Sequence, residues 1–169
     1  MPDLRIVWLA PPSGQVRAGD AVLRFDSSSA VRTLQEKQAE LTQAEAKKRE
    51  AEAEARTTAE KDARDLSQAR YEVERARMEV ARQEIMSAVQ AEEARINLDL
   101  AIEKLRVQET TNAFNEASSK AKIASLERAR EKAADDVALM QYRLSQMEVK
   151  APAAGVIIYL PNYAQGWVN

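Results

Sequence analysis

The side chains that most often carry covalent chemistry are missing from this sequence. It has no histidine and no cysteine in 169 residues. A Ser/His or Cys/His nucleophile pair, a disulfide and a Cys-based metal site are therefore impossible. The four glycines, Gly14, Gly19, Gly155 and Gly166, form no phosphate-cradling loop. What remains is carboxylates, amines, guanidinium groups and hydroxyls. Many carboxylates sit one helical turn from a cation, as in Glu45/Arg49, which is ordinary helix-surface support of ~0.2–0.5 kcal/mol per pair. The chemistry on offer is recognition rather than catalysis, so the chain reads as non-enzymatic, without cofactor or metal. One group of recognition residues is Arg75, Arg77 and Arg82 with Ser87; the plainer reading of these is a solvated helix face near a turn.

Charge narrows the partners. The formal net charge is −2, and both signs are interspersed. There is no basic block, so nucleic acid and anionic membrane surfaces have no electrostatic footing. No run of 18 apolar residues exists to span a membrane. Met1-Pro2-Asp3 lacks the basic and apolar start of a leader. The expectation is a cytosolic protein or an excised piece of a longer exported one.

The elements that must position these residues follow from where helix breakers fall. Residues 20–151 contain neither glycine nor proline, and most charged residues lie between 27 and 149. A compact α/β enzyme domain needs frequent turns, which favour both breakers. Aromatic content is only 5%, too little to fill a wide core but enough for a narrow helix–helix seam of Ala and Leu. The fold expected is mainly α: a long antiparallel helical hairpin, or coiled coil, over 27–149.

The ends read as β. Leu4–Leu9 is apolar and β-prone, Pro11 to Gly14 is a loop, Gly19 serves a turn, and Ala21–Asp26 alternates with Leu23 and Phe25 on one face. Asp26-Ser27-Ser28-Ser29 supplies helix N-cap residues. Lys150-Ala151-Pro152 reads as the helix stop, a cation followed by a breaker. Ala154–Leu160 reads as a closing strand. Trp8 and Trp167 are expected to pack the small β core.

The hydrophobic repeat says how the helices pair. Ile123, Leu126, Arg130, Ala133, Val137, Met140, Leu144 and Met147 alternate at spacings of three and four. Val31, Leu34, Gln38 and Leu41 begin a matching seam, and Ala59, Leu66, Ala69, Val73, Ala76 and Val80 continue it. Polar residues occupy the seam near 45–65 and again near 109–119. A fold-back near residue 88 sets 31–41 opposite 136–146, 45–65 opposite 112–132 and 66–80 opposite 97–111. Strong then meets strong, and weak partly meets weak. The tip is expected near 86–91, with Thr110–Ser119, richer in poor helix formers, as the rival turn. Arg130 is expected to snorkel past the Ala-rich seam; the other reading makes it a register-setting polar residue.

Gly14-Gln15-Val16-Arg17-Ala18-Gly19-Asp20-Ala21-Val22-Leu23-Arg24-Phe25-Asp26 resembles the first half of the lipoyl-like module of periplasmic adaptor proteins, the membrane fusion proteins of the HlyD/AcrA type. Lys150-Ala151-Pro152-Ala153-Ala154-Gly155-Val156-Ile157 resembles the start of the second half. In that family a helical hairpin splits the module, and this sequence has the same order. The resemblance implies a small all-β lipoyl-like (barrel-sandwich hybrid) module with residues 1–26 in its first half and 150–169 in its second.

The resemblance also implies a place and partners. The chain would be a fragment of a periplasmic adaptor of a tripartite efflux or secretion pump, anchored to the inner membrane in the full-length protein. Its partners would be an inner-membrane transporter, an outer-membrane TolC-like channel and further copies of itself in a ring or tube. Adaptor tips often carry an Arg, a Leu four residues on and a Ser seven beyond. Anchoring on Ser87 puts Val80 at the Leu position and Ala76 at the Arg position, with Arg75 and Arg77 beside it. Arg75, Arg77, Val80, Arg82, Met86 and Ser87 are the implied channel-docking residues. A swinging-arm carrier needs a Lys between the halves of the module; the insert stands there, and no Lys precedes Lys37. The alternative is a generic coiled-coil scaffold with no transport role, distinguished by whether 4–26 and 150–160 pair into one sheet.

Overall fold

A computed structural model describes residues 5–82 and 87–159. Strands β1 (Ile6–Leu9), β2 (Gln15–Val16) and β3 (Ala21–Phe25) precede helix α1 (Ser28–Val80). Helix α2 (Ala88–Ser145) follows, then β4 (Glu148–Lys150) and β5 (Gly155–Val156). The chain divides into two compact units, Met1–Thr42 with Lys132–Asn169, and Gln43–Glu131. Among the described residues no helix is long and apolar enough to cross a membrane.

In the first unit, strands from before the helices pair with strands from after them. β3 lies between β1 and β4, antiparallel to both, with Leu23 opposite Val149 and Arg24 opposite Glu148. β2 pairs with β5. Backbone bonds stitch the junction: Gly19 N–H donates to Ala151 O and Ala151 N–H to Asp20 O, both at 2.8 Å, and Phe25 N–H donates to Met147 O at 2.9 Å. Gly19 takes φ 91, a conformation that side chains disfavour, which explains a glycine at that turn. Ala10 and Ala151 are buried. Trp8 does not pack the core as expected. It is 41% exposed on the outer strand, with the Arg24 guanidinium 5.4 Å from its ring centre. Trp167 lies outside the described residues.

Helix α1 opens where the cap cluster expects it. Asp26 Oδ1 accepts from Ser28 N–H at 3.0 Å, and Ser27 O accepts from Val31 N–H. The bonds from Ser28 hold the Asp26 carboxyl below its ordinary range. The far end of α2 differs from the sequence expectation. The helix stops at Ser145, not at Lys150, because Glu148–Lys150 bond to β3 instead. The closing strand is also shorter, covering Gly155–Val156 rather than 154–160. In the same unit the helix roots lie side by side: Lys37 Nζ is 3.9 Å from Asp136 Oδ2, and Val137 is buried. Val31, expected in the seam, is 38% exposed, and Lys37 rather than Gln38 turns inward.

The second unit is an antiparallel helix pair. Cross-helix ion pairs among the described residues of this unit are Lys48–Glu127 at 2.7 Å, Glu54–Lys122 at 2.5 Å, and Arg70–Glu109 at 3.8 Å. All three fall within the pairings set by the expected fold-back. The rival turn is excluded, since Thr110–Ser119 are helical. The chain reverses between Val80, the end of α1, and Ala88, the start of α2; of the tip expected at 86–91, residues 88–91 are helix and Met86 lies outside the described residues. Ala51, Val73, Ala94 and Ala101 are buried between the helices.

Candidate functional site

The candidate docking residues surround the reversal. Arg75, Arg77 and Val80 occupy the last turns of α1, and Arg82 follows in the turn after it. Met86 lies outside the described residues. α1 frays out through Ala81 N–H to Arg77 O at 3.0 Å and Arg82 N–H to Glu79 O at 3.1 Å. Arg77 sits in the last turn, where a cation complements the helix dipole, and bonds Glu74 Oε1 at 2.8 Å.

Ser87 has a defined local task. It is the N-cap of α2: its Oγ accepts from Gln90 N–H at 3.4 Å, and its N–H donates to Gln90 Oε1 at 3.1 Å. Ala91 N–H reaches Ser87 O at 2.9 Å. This is a reciprocal capping box, and it restarts a helix where no glycine is present. The pattern Ser87-x-x-Gln90 was legible in the sequence as that signal.

Arg75 is exposed like Arg77 and Arg82, and it also borders a cleft beside the reversal. Arg75 lines a cleft of about 290 Å³ with Glu72, Glu79, Ala94, Asn97 and Lys104. Val80 is half-buried, while Arg77, Arg82 and Ser87 are exposed. Among the described residues no group of three acidic side chains could hold a metal.

A surface that the seam pattern overlooked lies on the outward faces of this helix pair. On α2, Val89, Glu93, Ile96, Leu100, Glu103, Val107 and Phe114 repeat at spacings of four, three and seven. Val89, Val107 and Phe114 are 68%, 62% and 71% exposed. Ala94 and Ala101 lie on the buried side, so α2 carries apolar residues on two faces and α1 covers one. On α1 the outward face holds Arg64, Tyr71, Arg75, Met78 and Arg82 at the same kind of spacing, and all five are exposed. One outer face is apolar and acidic, the other apolar and basic.

A small β module interrupted between two adjacent strands by a pair of long antiparallel helices is the architecture that results. No protein-family model and no curated protein sequence matches the chain. The fold is similar to the crystal structure of MacA from Actinobacillus actinomycetemcomitans, with a TM-score of 0.57 and 18% identity. That match covers 98% of this chain and 42% of MacA, so the chain spans less than half of that protein. The structure of the periplasmic adaptor protein EmrA is also similar, with a TM-score of 0.40 and 15% identity over 90% of this chain and 61% of EmrA. The likeness to MacA is one of fold.

Proposed function

We propose that this chain is the hairpin-bearing part of a periplasmic adaptor, a non-enzymatic membrane fusion protein of a tripartite efflux or secretion pump. It would bridge an inner-membrane transporter and an outer-membrane TolC-like channel in the periplasm, with the inner-membrane anchor elsewhere in the full protein. One observation carries this reading: β3 pairs with β4 and β2 with β5 across the helical insert. A generic coiled-coil scaffold gives no reason for its two ends to form common sheets. The same pairing supports reading residues 5–26 and 148–159 as the two halves of a lipoyl-like module.

In this reading the reversal end meets the channel through Arg75, Arg77, Val80, Arg82, Met86 and Ser87. Copies pack side by side, α1 of one against α2 of the next. The outer faces support this by charge. The fold-back pairing puts Arg82 within two residues of the level of Glu93, and Arg75 within two of Glu103. A contact between two different faces does not saturate itself, so it builds a ring or an open chain.

Export assays with cross-linkers placed near the reversal test the docking reading. Charge reversal at Arg75, Arg77 and Arg82 in the full-length protein is expected to lower export and channel cross-linking together. Unchanged export with unchanged cross-linking would reject it.

A further inference from the structure

We propose that the helix pair has a built-in bend point at the level of Asp62 and Ser119. This goes beyond the adaptor reading and does not depend on it. Inward positions on α1 run 51, 55, 58, 62, 66, 69, 73, 76 and 80, and on α2 they run 105, 108, 112, 115, 119, 123 and 126. The alternation of three and four is broken by consecutive fours at 58–62–66 on α1 and 115–119–123 on α2. The seam therefore steps sideways on both helices at nearly the same level. A sustained 3/4 repeat keeps one stripe facing its partner, and a break in phase alters the local winding.

Burial is thin over the stretch that includes this level. The buried residues of this unit leave 52–72 and 102–131 without one. Grooves flank the helix pair at several levels; the one here, of about 420 Å³, is lined by Ala55, Ala59, Ala63 and Ser119 beside Leu66 and Ile123, whereas the groove of about 520 Å³ beside Ala69 and Leu100 lies next to the buried Val73 and Ala101. The helices are held instead by polar bonds. Asn112 Nδ2 donates to Asp62 O at 3.1 Å and Asn115 Nδ2 to Asp62 Oδ2 at 3.0 Å, while Gln108 orients Asn112 at 2.8 Å. Interlocked side chains resist bending because packed interiors are nearly incompressible. A few side-chain bonds beside a groove can lengthen or exchange with water, so this level opens at lower free energy than the levels of Ala51 and of Val73 and Ala101, where side chains are buried.

Hydrogen exchange on the chain as it stands decides the matter. Simple end fraying gives protection that falls steadily toward the reversal. A bend point gives a dip: amides in 58–66 and 115–123 are expected to exchange at least tenfold faster than those in 69–76 and 98–105, which lie nearer the reversal. A steady decline would overturn the proposal. Ser119→Leu places a large apolar side chain at the stepped position. It is expected to raise protection in 58–66 at least threefold and leave 69–76 unchanged; an undiminished dip would also count against the bend point.

Discussion

Glu127 holds Lys48 of the opposite helix and Arg130 of its own at once. Lys48 Nζ lies 2.7 Å from one carboxylate oxygen, and Arg130 donates to the other at 2.8 and 3.0 Å. Arg130 therefore does not itself reach across the seam; it orients the carboxylate that does. The Arg130 bond, then the Lys48 bond, hold the Glu127 carboxyl below its ordinary range, and Glu127 in turn raises Lys48.

The signs of these shifts set a pH dependence. A carboxyl with a lowered folded pKa stabilises the folded chain at neutral pH. That contribution is lost as pH falls through the depressed value. The raised Lys48 contributes below the ordinary lysine range and loses its part in strong alkali. Thermal melts from pH 7 downward should show a steeper loss for the native chain than for Glu127→Gln. Superimposable profiles would show that the triad adds nothing.

Ser87 offers a test that separates capping from docking. Ser87→Ala is expected to destabilise the chain by about 1 kcal/mol, and Ser87→Asp, another good cap, by much less. Denaturant midpoints read this directly. Equal losses in both variants would mean that the hydroxyl matters for something other than α2.

Val73 tests the packed level nearer the reversal. Val73→Ala removes two buried methyl groups and is expected to cost roughly 1.5–3 kcal/mol. Ile96→Ala removes exposed surface on the same helix pair and should stay within about 0.5 kcal/mol in the dilute chain. Similar costs at the two sites would contradict the burial pattern.

Self-association should follow the outer faces. Phe114→Glu and Val107→Glu put charge on the apolar stripe of α2, and Arg75→Glu with Arg82→Glu inverts the basic face of α1. Each set is expected to lower the sedimentation-derived association constant at least tenfold without loss of helical circular dichroism. Combining inverted Arg75 and Arg82 with Glu93→Arg and Glu103→Arg should restore part of it. No recovery would reject charge matching between the faces.

Spin labels at Leu34 and Leu144 check the helix roots. Packed neighbours place them within about 20 Å, whereas one unbroken helix would separate them by about 165 Å.

Much of this was legible from residue placement. The breaker-free stretch gave the helices, and the Asp26–Ser29 cluster gave the start of α1. Lys150-Ala151-Pro152 misled because a helix stop was read from local chemistry alone. Val149 and its neighbours instead gain sheet bonds to β3, a long-range choice invisible to local propensity. Thr110–Ser119 looked like a turn on helix propensity; Asn112 and Asn115 are instead used for bonds to Asp62. Val31 and Gln38 fall outside the inward stripe because the register of 66–80 does not continue past the step at 58–66. At the candidate site, the capping pair and the outward stripe had sequence signals. The positions of the arginines relative to the reversal did not, because no glycine marks where the chain turns.

The bond from Phe25 N–H to Met147 O joins the last strand residue before the insert to the second residue after it. The helices thus leave and re-enter the β module through one doorway whose width is independent of their length. Residues added to one arm need only be matched on the other, in steps that return the same face inward. Reach can then change by whole heptads while every strand register stays as it is, which makes arm length a trait that selection or an engineer can adjust separately from the module that anchors it.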